Sequence, residues 1–532
     1  MQIFCFSPFG YEGSLVSVEV DLRRGIPAVD IVGLADGAIK ESRERMRSAI
    51  MNSGLQFPPE RVLINLSPAD LKKEGAGFDL AIALAVLTAK EKLERDETAF
   101  DPDAIESDSF SIASDESILV MGELELNGKI RPVRAIHAAV STAYDGGIRK
   151  CIVPKANAEE AREIDGMMVF GAEDVVEAFS SLFNPAAFSS RNSEIEDAEF
   201  PEGSLCIDGI YFPPVEDEND FKYVSGQELL VRGLQIAAAG GHNVIAFGPP
   251  GCGKTLSMMR YSSLLPFLTR EESQSVTRIW SIAGLLCPGK NTVLKVPFRM
   301  PHQTATTEGI CGGGPHCLPG EISLAHNGIL FLDEAAEFRS SALQMLRVPL
   351  ESGSITLSRA GRSTVFPASF QLLLSTNPCP CGNFGSSEKI CLCSSRSVEQ
   401  YWRKFSGPLL DRIDLRIQVE GKAPKESQPG ISSAELRKKI ASAIRIQRKR
   451  QGKKNVFLTP SEITRFCRLT EEARKLLDKS SDRYEFSPRA VSGCLKLART
   501  IADMESKEEI DGVSMEEAVK FRKPQGAMEV MK

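Results

Sequence analysis

The sequence predicts an α/β chain of several domains, with a parallel-sheet domain in the middle and an all-helical domain at the end. Its 532 residues are too many for one hydrophobic core. Apolar strands alternate with helical patterns up to about residue 420, which is typical of a parallel sheet. From Ser432 onward the pattern is helical, and Ser432–Glu435 has the spacing of an N-terminal capping box.

Breaks in composition predict the domain boundaries. Residues 1–183 are expected to form an α/β domain, and residues 184–220 are polar, acidic and Pro-rich, as linkers are. Residues 221–425 are expected to form the parallel-sheet domain and residues 426–532 the helical one. In the first domain the patterns predict strands at Leu15–Val20 and Val62–Leu66 and helices at Ala38–Met51 and Leu80–Leu87.

The charge and hydrophobicity of the chain argue against several classes of protein. The net charge of −7 and the pI near 5.6 exclude a uniformly basic surface for nucleic acid, but not a local basic groove. The N-terminus lacks the basic and apolar regions of a secretory signal. The longest apolar stretch is far shorter than the roughly 20 residues of a membrane helix. A cytoplasmic protein without membrane contact is therefore expected.

A glycine-rich loop follows the strand predicted at Asn243–Phe247. It matches G-x-x-x-x-G-K-[ST] and consists of Gly248, Pro249, Pro250, Gly251, Cys252, Gly253, Lys254 and Thr255. Glycines here let backbone N–H groups surround phosphate oxygens. Lys254 is expected to reach the β- and γ-phosphates, and the Thr255 hydroxyl to bind Mg²⁺. The flanking strand disfavours a chance glycine turn, so the chain is predicted to bind ATP and Mg²⁺.

Two further strands are predicted to end in catalytic groups. Asp333 and Glu334 follow the apolar run Ile329–Leu332. Asp333 suits Mg²⁺ binding and Glu334 suits polarising the attacking water, although carboxylates at a strand end can simply be solvated. Asn377 follows another apolar run and fits a sensor-1 position between these carboxylates and the γ-phosphate, with an ordinary turn as the alternative.

Four closely spaced cysteines come directly after Asn377. They are Cys379, Cys381, Cys391 and Cys393, spaced as C-x-C, nine residues, C-x-C. Four thiolates so close can form a tetrahedral zinc site, although C-x-C is tighter than the usual C-x₂-C. Free thiols or a redox pair are the alternatives. A structural Zn²⁺ ion is predicted because the cytosol disfavours lasting disulfides.

Several longer segments carry a resemblance that covers essentially the whole chain. They are VDIVGLADGAIKESRERMRSAI, INLSPADLKKEGAGFDLAIAL, GQELLVRGLQIAAAGGHNVIAFGPPGCGKT, FRMPHQTAT, GEISLAHNGILFLDE, LSRAGRSTVFPASFQLLLSTNPCPCG and LLDRIDL. Together they resemble the magnesium-chelatase-like AAA+ family, most closely its ComM/YifB branch. The resemblance implies a Lon-protease-like N-terminal domain, a P-loop AAA+ core and an all-helical lid. It also implies an ATPase that acts as a homo-hexameric helicase. ComM proteins are regarded as driving branch migration of recombination intermediates during natural transformation, which makes single-stranded or branched DNA the expected partner.

The resemblance also implies roles for arginines that would otherwise be ordinary surface ion pairs. Arg412 lies where the family has its arginine finger, which completes the ATP site of the neighbouring subunit. Arg489 matches the sensor-2 arginine of the helical lid. The Ser354–Phe366 segment resembles a hairpin that faces the ring pore, where Arg359 and Arg362 would contact phosphates unless the hairpin is merely solvated.

The Lon-like resemblance does not extend to proteolysis. The segment Lys73–Asp79 aligns with the loop of Lon's nucleophilic serine, yet it contains no serine. The segment Gly128–Ala139 aligns with the region of the catalytic lysine and has alanine at that place. Because a Ser–Lys dyad needs both groups, a non-proteolytic domain is predicted.

Three functions remain open at this point. A DNA motor is favoured by the resemblance, the Arg359/Arg362 hairpin and the basic helix Arg437–Lys454, which could also be a solvated face. A magnesium-chelatase-like motor that remodels a protein partner is the alternative. The Lon-like domain argues against it, since chelatase motor subunits resemble only the ATPase part. An ATP-dependent protease is disfavoured by the missing dyad.

Overall fold

The computed structural model describes residues 1–34, 36–69, 73, 76–98, 116–190, 200–286, 292–314, 317–359, 362–385, 389–420, 430–526 and 528. Its first part alternates strands and helices. The elements are β1 (Gln2–Ser7), β2 (Ser14–Arg23), β3 (Val29–Val32), α1 (Gly37–Asn52), β4 (Arg61–Ser67), α2 (Asp79–Thr98), β5 (Ser117–Val120), β6 (Glu123–Leu124), β7 (Ile130–Arg131), α3 (Ile136–Asp145), β8 (Lys150–Pro154), α4 (Ala158–Arg162), β9 (Met168–Ala172) and α5 (Val175–Ser181). The predicted strands lie within β2 and β4, and the predicted helices within α1 and α2.

A seven-stranded mixed sheet forms the N-terminal core, in the order β3-β4-β2-β1-β5-β8-β9. β2 pairs antiparallel with β1 and β4, whereas β1, β5, β8 and β9 run parallel. The helix α2 begins with a wholly buried run from Leu80 to Ala85, which packs in this core. One residue from outside the region, Ile282, belongs to the same hydrophobic cluster. A residue of the central part of the chain therefore packs in the N-terminal core.

A short hairpin lies within the interval expected to be a linker. It consists of β10 (Leu205–Ile207) and β11 (Ile210–Phe212). Phe212 is fully buried, and the Arg437 guanidinium lies over its ring at 5.0 Å. Phe200 stacks on Tyr211 with ring centroids 4.2 Å apart. The described part of this interval thus packs against the rest of the chain.

The central part alternates strands and helices again. Its elements are α6 (Glu228–Gly240), β12 (Val244–Phe247), α7 (Lys254–Met259), α8 (Arg270–Ala283), β13 (Phe298–Arg299), α9 (Thr307–Cys311), β14 (Gly312–Gly313), β15 (Leu318–Pro319), α10 (Glu321–Leu324), β16 (Ile329–Leu332), α11 (Ser340–Met345), α12 (Pro349–Ser352), β17 (Ser354–Arg359), β18 (Arg362–Pro367), β19 (Gln371–Thr376), α13 (Ser395–Arg403), α14 (Gly407–Leu410) and β20 (Leu415–Gln418).

Five of these strands form a parallel sheet in the order β13-β16-β19-β12-β20. All residues of β12, β16 and β19 are buried, as expected for strands covered on both faces. The prediction of an α/β chain with a parallel sheet is confirmed. Because the strands run parallel, the residues that follow β12, β16 and β19 meet at one edge of the sheet.

The regular elements described after residue 430 are all helical. They are α15 (Ser433–Gln451), α16 (Pro460–Phe466), α17 (Glu471–Tyr484), α18 (Pro488–Met504) and α19 (Gly512–Arg522). Ser432 caps α15, since its side chain accepts the Glu435 N–H at 3.3 Å. These helices share one hydrophobic cluster with α6 and β12. They consequently lie against the same sheet that carries the glycine-rich loop.

Candidate active site

The glycine-rich loop joins β12 to α7, as predicted. Gly251 and Gly253 have φ of 79° and 82°, in the left-handed region that favours glycine. At Gly248 an added Cβ would lie 2.3 Å from the Val419 carbonyl oxygen, so the neighbouring strand requires glycine there. These glycines let the loop turn tightly and expose its N–H groups at the start of α7, a geometry suited to phosphate.

Lys254 is buried at the mouth of this loop. Its ammonium group donates to the Gly248 carbonyl at 2.8 Å and to the Pro249 carbonyl at 2.7 Å. Both acceptors belong to the loop itself. The positive charge is therefore held where phosphates cradled by the loop would meet it.

Thr255 and Asp333 come together across the sheet. The Thr255 hydroxyl donates to Asp333 Oδ1 at 3.0 Å, although β19 separates their strands. A hydroxyl and a carboxylate oxygen are hard ligands of the kind that Mg²⁺ prefers. The donor set at the end of the loop therefore fits a magnesium ion beside a bound nucleotide.

Glu334 and Asn377 lie at the same edge. Glu334 adopts φ 48°, ψ 46°, a left-handed conformation that is unfavourable for a non-glycine residue by about 1 kcal/mol or more. Asn377 follows β19, the strand between β16 and β12, and is half-buried. The sheet topology thus places the loop, the two carboxylates and the amide at one edge.

Arg412 and Arg489 lie at the opposite edge. Arg412 precedes β20, and its carbonyl accepts the Asn243 side-chain amide at 2.9 Å, just before β12 begins. A cleft of about 770 Å³ opens there, lined by both arginines together with Asn243, Gly328 and Gln371. These three residues mark the amino ends of strands whose carboxyl ends carry the glycine-rich loop and its partners. The arginines therefore lie a strand length away from the loop of their own chain, roughly 13 Å or more for four residues.

Glu351 joins the two arginines and has no counterpart among the predicted site residues. Arg412 Nη2 pairs with Glu351 Oε2, and Arg489 Nη2 donates to Oε1 at 2.7 Å. The hydrogen bond from Arg489, followed by that from Arg412, lowers the pKa of Glu351. The partners lie 61 and 138 residues away in sequence. No local pattern could have indicated this contact.

The four cysteines converge beside the glycine-rich loop. Their sulfur atoms all lie within 4.8 Å of one another, with Cys379 and Cys391 3.7 Å apart. A tetrahedral site with Zn–S bonds of about 2.3 Å needs sulfurs about 3.8 Å apart, so the geometry fits zinc. The backbone N–H of Asn383 lowers the pKa of Cys381 to about 6, whereas desolvation and hydrogen bonding to the other thiols raise the pKa of Cys391 and Cys393. Without metal the cluster therefore favours a thiolate at Cys381, and the other ligands would lose their protons on binding it.

This cysteine cluster is anchored to the sheet. The Trp402 indole N–H donates to the Pro378 carbonyl at 3.0 Å, and its ring meets Phe247 edge-on at 5.3 Å. At Gly382 an added Cβ would lie 2.9 Å from the Pro250 ring. The cluster therefore touches the phosphate-binding loop directly.

Comparison with known proteins identifies the family. Residues 220–427 match the family described as "Magnesium chelatase, subunit ChlI", residues 18–157 match "Subunit ChlI of Mg-chelatase", and residues 430–522 match "Magnesium chelatase, subunit ChlI C-terminal". Competence protein ComM of Haemophilus influenzae is 34% identical over 524 residues, 98% of this chain and 97% of that protein. The YifB protein of Escherichia coli K12 is 37% identical over 517 residues, 96% and 95% of the two chains. The chain belongs to the ComM/YifB branch of the magnesium-chelatase-like AAA+ family.

Membership of this AAA+ family implies an ATPase that uses ATP and Mg²⁺. A protein of Mycobacterium tuberculosis H37Rv is also similar, at 35% identity over 511 residues and 94% of each chain. In the part of the chain that the structure describes, no helix has the length and apolar character needed to cross a membrane.

Part of the basic helix predicted at Arg437–Lys454 is engaged in intramolecular contacts. Arg437, on α15, is buried and donates to the Ser263 carbonyl at 2.7 Å. Arg450 forms a bidentate pair with Asp503, with distances of 2.7 and 2.8 Å. Lys439 pairs with Glu505 at 2.7 Å. These three cations have intramolecular partners, which leaves less of this helix available for DNA than its charge pattern indicated.

The hairpin predicted at Ser354–Phe366 is present as β17 and β18. The strands pair antiparallel from Ser354 with Pro367 to Arg359 with Arg362. Residues 360–361 and the side chains of Arg359 and Arg362 lie outside the described residues. On the second strand of the hairpin, opposite Leu357, the Thr364 hydroxyl accepts the backbone N–H of Tyr11 at 3.1 Å. The N-terminal region thus touches the hairpin.

The segments aligned with Lon's catalytic residues hold structural groups here. Asp79 is fully buried and accepts two hydrogen bonds from Arg45, at 2.8 and 3.1 Å. Ala139 is buried within α3. Residues 74 and 75 of the first segment lie outside the described residues.

Proposed function

We propose that this protein is an ATP-dependent hexameric DNA motor that drives branch migration of recombination intermediates in the cytoplasm. The division of the ATP site is the observation that carries the proposal. Lys254, Thr255, Asp333 and Glu334 lie at one edge of the sheet, and the two arginines lie at the other. Such a chain is suited to completing its site with a neighbouring copy, as ring ATPases do. The name of ComM, a competence protein, supports DNA as the substrate.

Each residue at this edge of the sheet would have its own role in ATP hydrolysis. The loop N–H groups and Lys254 would bind the β- and γ-phosphates, while Thr255 and Asp333 would hold Mg²⁺. When bound, Mg²⁺ neutralises charge that develops on the phosphate oxygens. Glu334 would orient and polarise the attacking water. Asn377 would sit between the carboxylates and the γ-phosphate as sensor 1.

Arg412 and Arg489 would act on the ATP of the neighbouring subunit, as arginine finger and sensor 2. Their position at the amino edge supports this assignment, because a guanidinium cannot reach across a strand length to the loop of its own chain. A positive charge supplied in this way stabilises the transition state for phosphoryl transfer. Hydrolysis would then require assembled protein.

The remaining parts would support this motor. We propose a non-proteolytic Lon-like domain at residues 1–183, a linker at 184–220, an AAA+ core at 221–425 and a helical lid at 426–532. The cysteine cluster would hold a structural zinc ion that ties residues 379–393 to the phosphate-binding loop. Arg359 and Arg362, at the tip of the β17–β18 hairpin, would contact DNA phosphates in the pore.

A partner-remodelling motor is the second candidate. One observation favours it: all three matching family descriptions name a subunit of magnesium chelatase, including the one that covers residues 18–157. Such a motor would act on a protein partner and would not need DNA to reach full ATP turnover. DNA-stimulated hydrolysis therefore separates the two candidates.

A four-way junction assay tests the DNA motor. Wild-type protein should move the branch point and hydrolyse ATP faster with DNA, whereas Lys254→Ala should do neither. Replacing Arg359 and Arg362 together should weaken DNA binding and reduce its salt dependence by about two counterions. The matched control is Arg23→Ala with Arg24→Ala, at exposed positions at the end of β2. If DNA neither binds nor stimulates hydrolysis by hexameric protein at low salt, the partner-remodelling candidate replaces this one.

A further inference from the structure

One carboxylate is shared by the two arginines proposed to complete the neighbouring ATP site. Glu351 offers one oxygen to each, Oε2 to Arg412 and Oε1 to Arg489. The Arg412 side chain is 11% exposed, whereas those of Glu351 and Arg489 are 55% and 44% exposed. The buried guanidinium and the open one are thus linked through a single acid at the surface of the cleft.

These three residues come from different elements. Glu351 lies on α12, Arg412 follows α14 in the segment before β20, and Arg489 lies in the first turn of α18. Arg412 is further fixed by donating from Nη1 to the Pro408 carbonyl at 2.6 Å. Within the part of the chain that the structure describes, Arg489 makes no other side-chain hydrogen bond, so Glu351 is the contact that relates its guanidinium to Arg412. The carboxylate therefore joins an arginine of the segment before β20 to an arginine of the C-terminal helices.

The charges leave the group ready for an anion. Two guanidinium groups against one carboxylate carry a net positive charge, and a guanidinium can bind a carboxylate and a phosphate with different N–H groups. Glu351 accepts from one nitrogen of each guanidinium. The other N–H groups of Arg489, which is 44% exposed, can therefore bind a phosphate while these contacts persist.

We propose that Glu351 is a positioning residue that holds Arg412 and Arg489 as one unit, so that both meet the γ-phosphate of the neighbouring subunit together. This inference rests on the proposed function. Without the carboxylate the exposed Arg489 would sample many rotamers and Arg412 would lose its lateral restraint. Because misplacement of a catalytic group by about 1 Å can reduce the rate by roughly 100-fold, a loss of at least about tenfold in kcat is expected.

Steady-state ATP hydrolysis by Glu351→Gln and Glu351→Ala tests the assignment. Both should lower kcat at least about tenfold while KM stays within about twofold, because the arginines act on the transition state. The matched control is Glu399→Gln on α13, which removes an exposed ion pair with Arg403 at 2.6 Å. The thermal midpoint of Glu399→Gln should stay within about 2 °C of wild type, since exposed ion pairs contribute little to stability. Glu351→Gln keeps a side-chain oxygen for the largely buried Arg412 and should stay folded at the assay temperature, as its thermal unfolding will show.

A mutant cycle supplies the readout that a purely structural role would not change. In the wild-type background the losses of kcat from Arg412→Ala and Arg489→Ala should be strongly non-additive, since each disrupts the shared unit. In the Glu351→Gln background they should become nearly additive. Additive losses in both backgrounds, or full kcat in Glu351→Gln while Arg412→Ala is inactive, would overturn the inference alone. Full hydrolysis by Arg412→Ala would instead overturn the proposed shared site.

Discussion

The guanidinium carbon of Arg278 lies 4.6 Å from the ring centroid of Tyr11, and this contact joins α8 to the turn between β1 and β2. Arg278 also donates to the Tyr11 carbonyl at 3.1 Å, to Ser141 at 3.2 Å and to Thr142 at 3.1 Å. Tyr11 in turn meets Phe366 of the β17–β18 hairpin, with ring centroids 6.1 Å apart. One arginine therefore fixes the N-terminal region against both α8 and the hairpin.

Replacing Arg278 with alanine should loosen this contact. Loss of several hydrogen bonds and a cation–π interaction should lower the free energy of local opening by roughly 2 kcal/mol. The open state would then be about 30-fold more populated, and hydrogen exchange faster by the same factor. Hydrogen exchange of the Tyr11 amide reports it, because that N–H donates to Thr364 across the contact. The control is Arg270→Ala, whose pair with Asp165 is 60% exposed on each side. Unchanged exchange at Tyr11 in the Arg278 variant would contradict the prediction.

Substitutions at Lys254 and Glu334 should affect ATP binding and ATP hydrolysis differently. Lys254→Ala should abolish ATP binding because it removes the charge held at the loop mouth. Glu334→Gln should bind ATP normally and lose at least about 100-fold in kcat, because the carboxylate acts only in hydrolysis. Equilibrium titration beside steady-state hydrolysis measures both. Glu337→Gln, an exposed acid three residues further on, is the matched control and should be fully active.

Arg412→Ala should retain nucleotide affinity and lose on the order of 1,000-fold in kcat, as expected for an arginine finger. Mixing it with Glu334→Gln should restore part of the activity, at interfaces that pair an intact Arg412 with an intact Glu334. Native mass spectrometry establishes whether the two chains co-assemble. An inactive mixture of demonstrably mixed assemblies would place the finger elsewhere.

Protein purified without chelators should contain one zinc ion per chain, measured by elemental analysis. Cys391→Ser should lose it, since three thiolates bind zinc more weakly than four. Cys206→Ser removes an exposed thiol outside the cluster and should keep full zinc content. Metal-free protein with intact ATP turnover would return the four cysteines to the redox alternative.

Acid should destabilise the N-terminal core through His137. Burial, and secondarily the charge of Arg278, lowers the pKa of His137 from 6.5 to about 4. Between these two pH values the folded state therefore binds fewer protons than the unfolded state. The free energy of unfolding is not reduced by His137 above pH 6.5, and it falls progressively as the pH drops toward 4. The reduction amounts to at most about 3 kcal/mol.

Thermal unfolding at pH 7.5 and pH 5 tests this expectation. The drop in thermal midpoint between pH 7.5 and pH 5 should be smaller for His137→Leu than for wild type, because the variant has no imidazole to protonate. It should not be destabilised at pH 7.5, since neither ring nitrogen of His137 has a partner among the described residues. His302→Leu, at an exposed position, is the control. Equal acid sensitivity in wild type and His137→Leu would refute the assignment.

The parts of the site that could be predicted are those specified by residues that lie close together in the sequence. An apolar strand followed by spaced glycines and Lys254 specifies the loop, and parallel strands bring Asp333 and Asn377 to the same edge. The position of Arg412 also follows from chain order, because Arg412 precedes β20 whereas the loop follows β12, and the two strands are parallel. The position of Arg489 does not, since it lies on α18 and reaches the same cleft through tertiary packing.

The parts that could not be predicted depend on distant partners. Tyr11 and Arg278 lie 267 residues apart, and Glu351 contacts arginines far along the chain. For α15, charge spacing indicated a basic surface, but it could not show that Arg437 would meet the Ser263 carbonyl or that Arg450 would meet Asp503. Ion pairs of this kind are decided by tertiary packing and leave no periodic signal.

The glycine-rich loop and the two arginines proposed to complete a neighbouring ATP site lie at opposite edges of the sheet, so each chain has two different contact faces, a front and a back. Copies that join front to back make a heterologous contact, which can be repeated without limit. Only the angle between successive copies then decides whether the assembly closes into a ring or continues as a helical filament. Every chain in such an array would serve two sites, one with its loop and one with its arginines. A copy that lost both its loop and its arginines would inactivate two sites, whereas a copy that lost only one of them would inactivate one. Because the two contact faces differ, such an array would also have a direction.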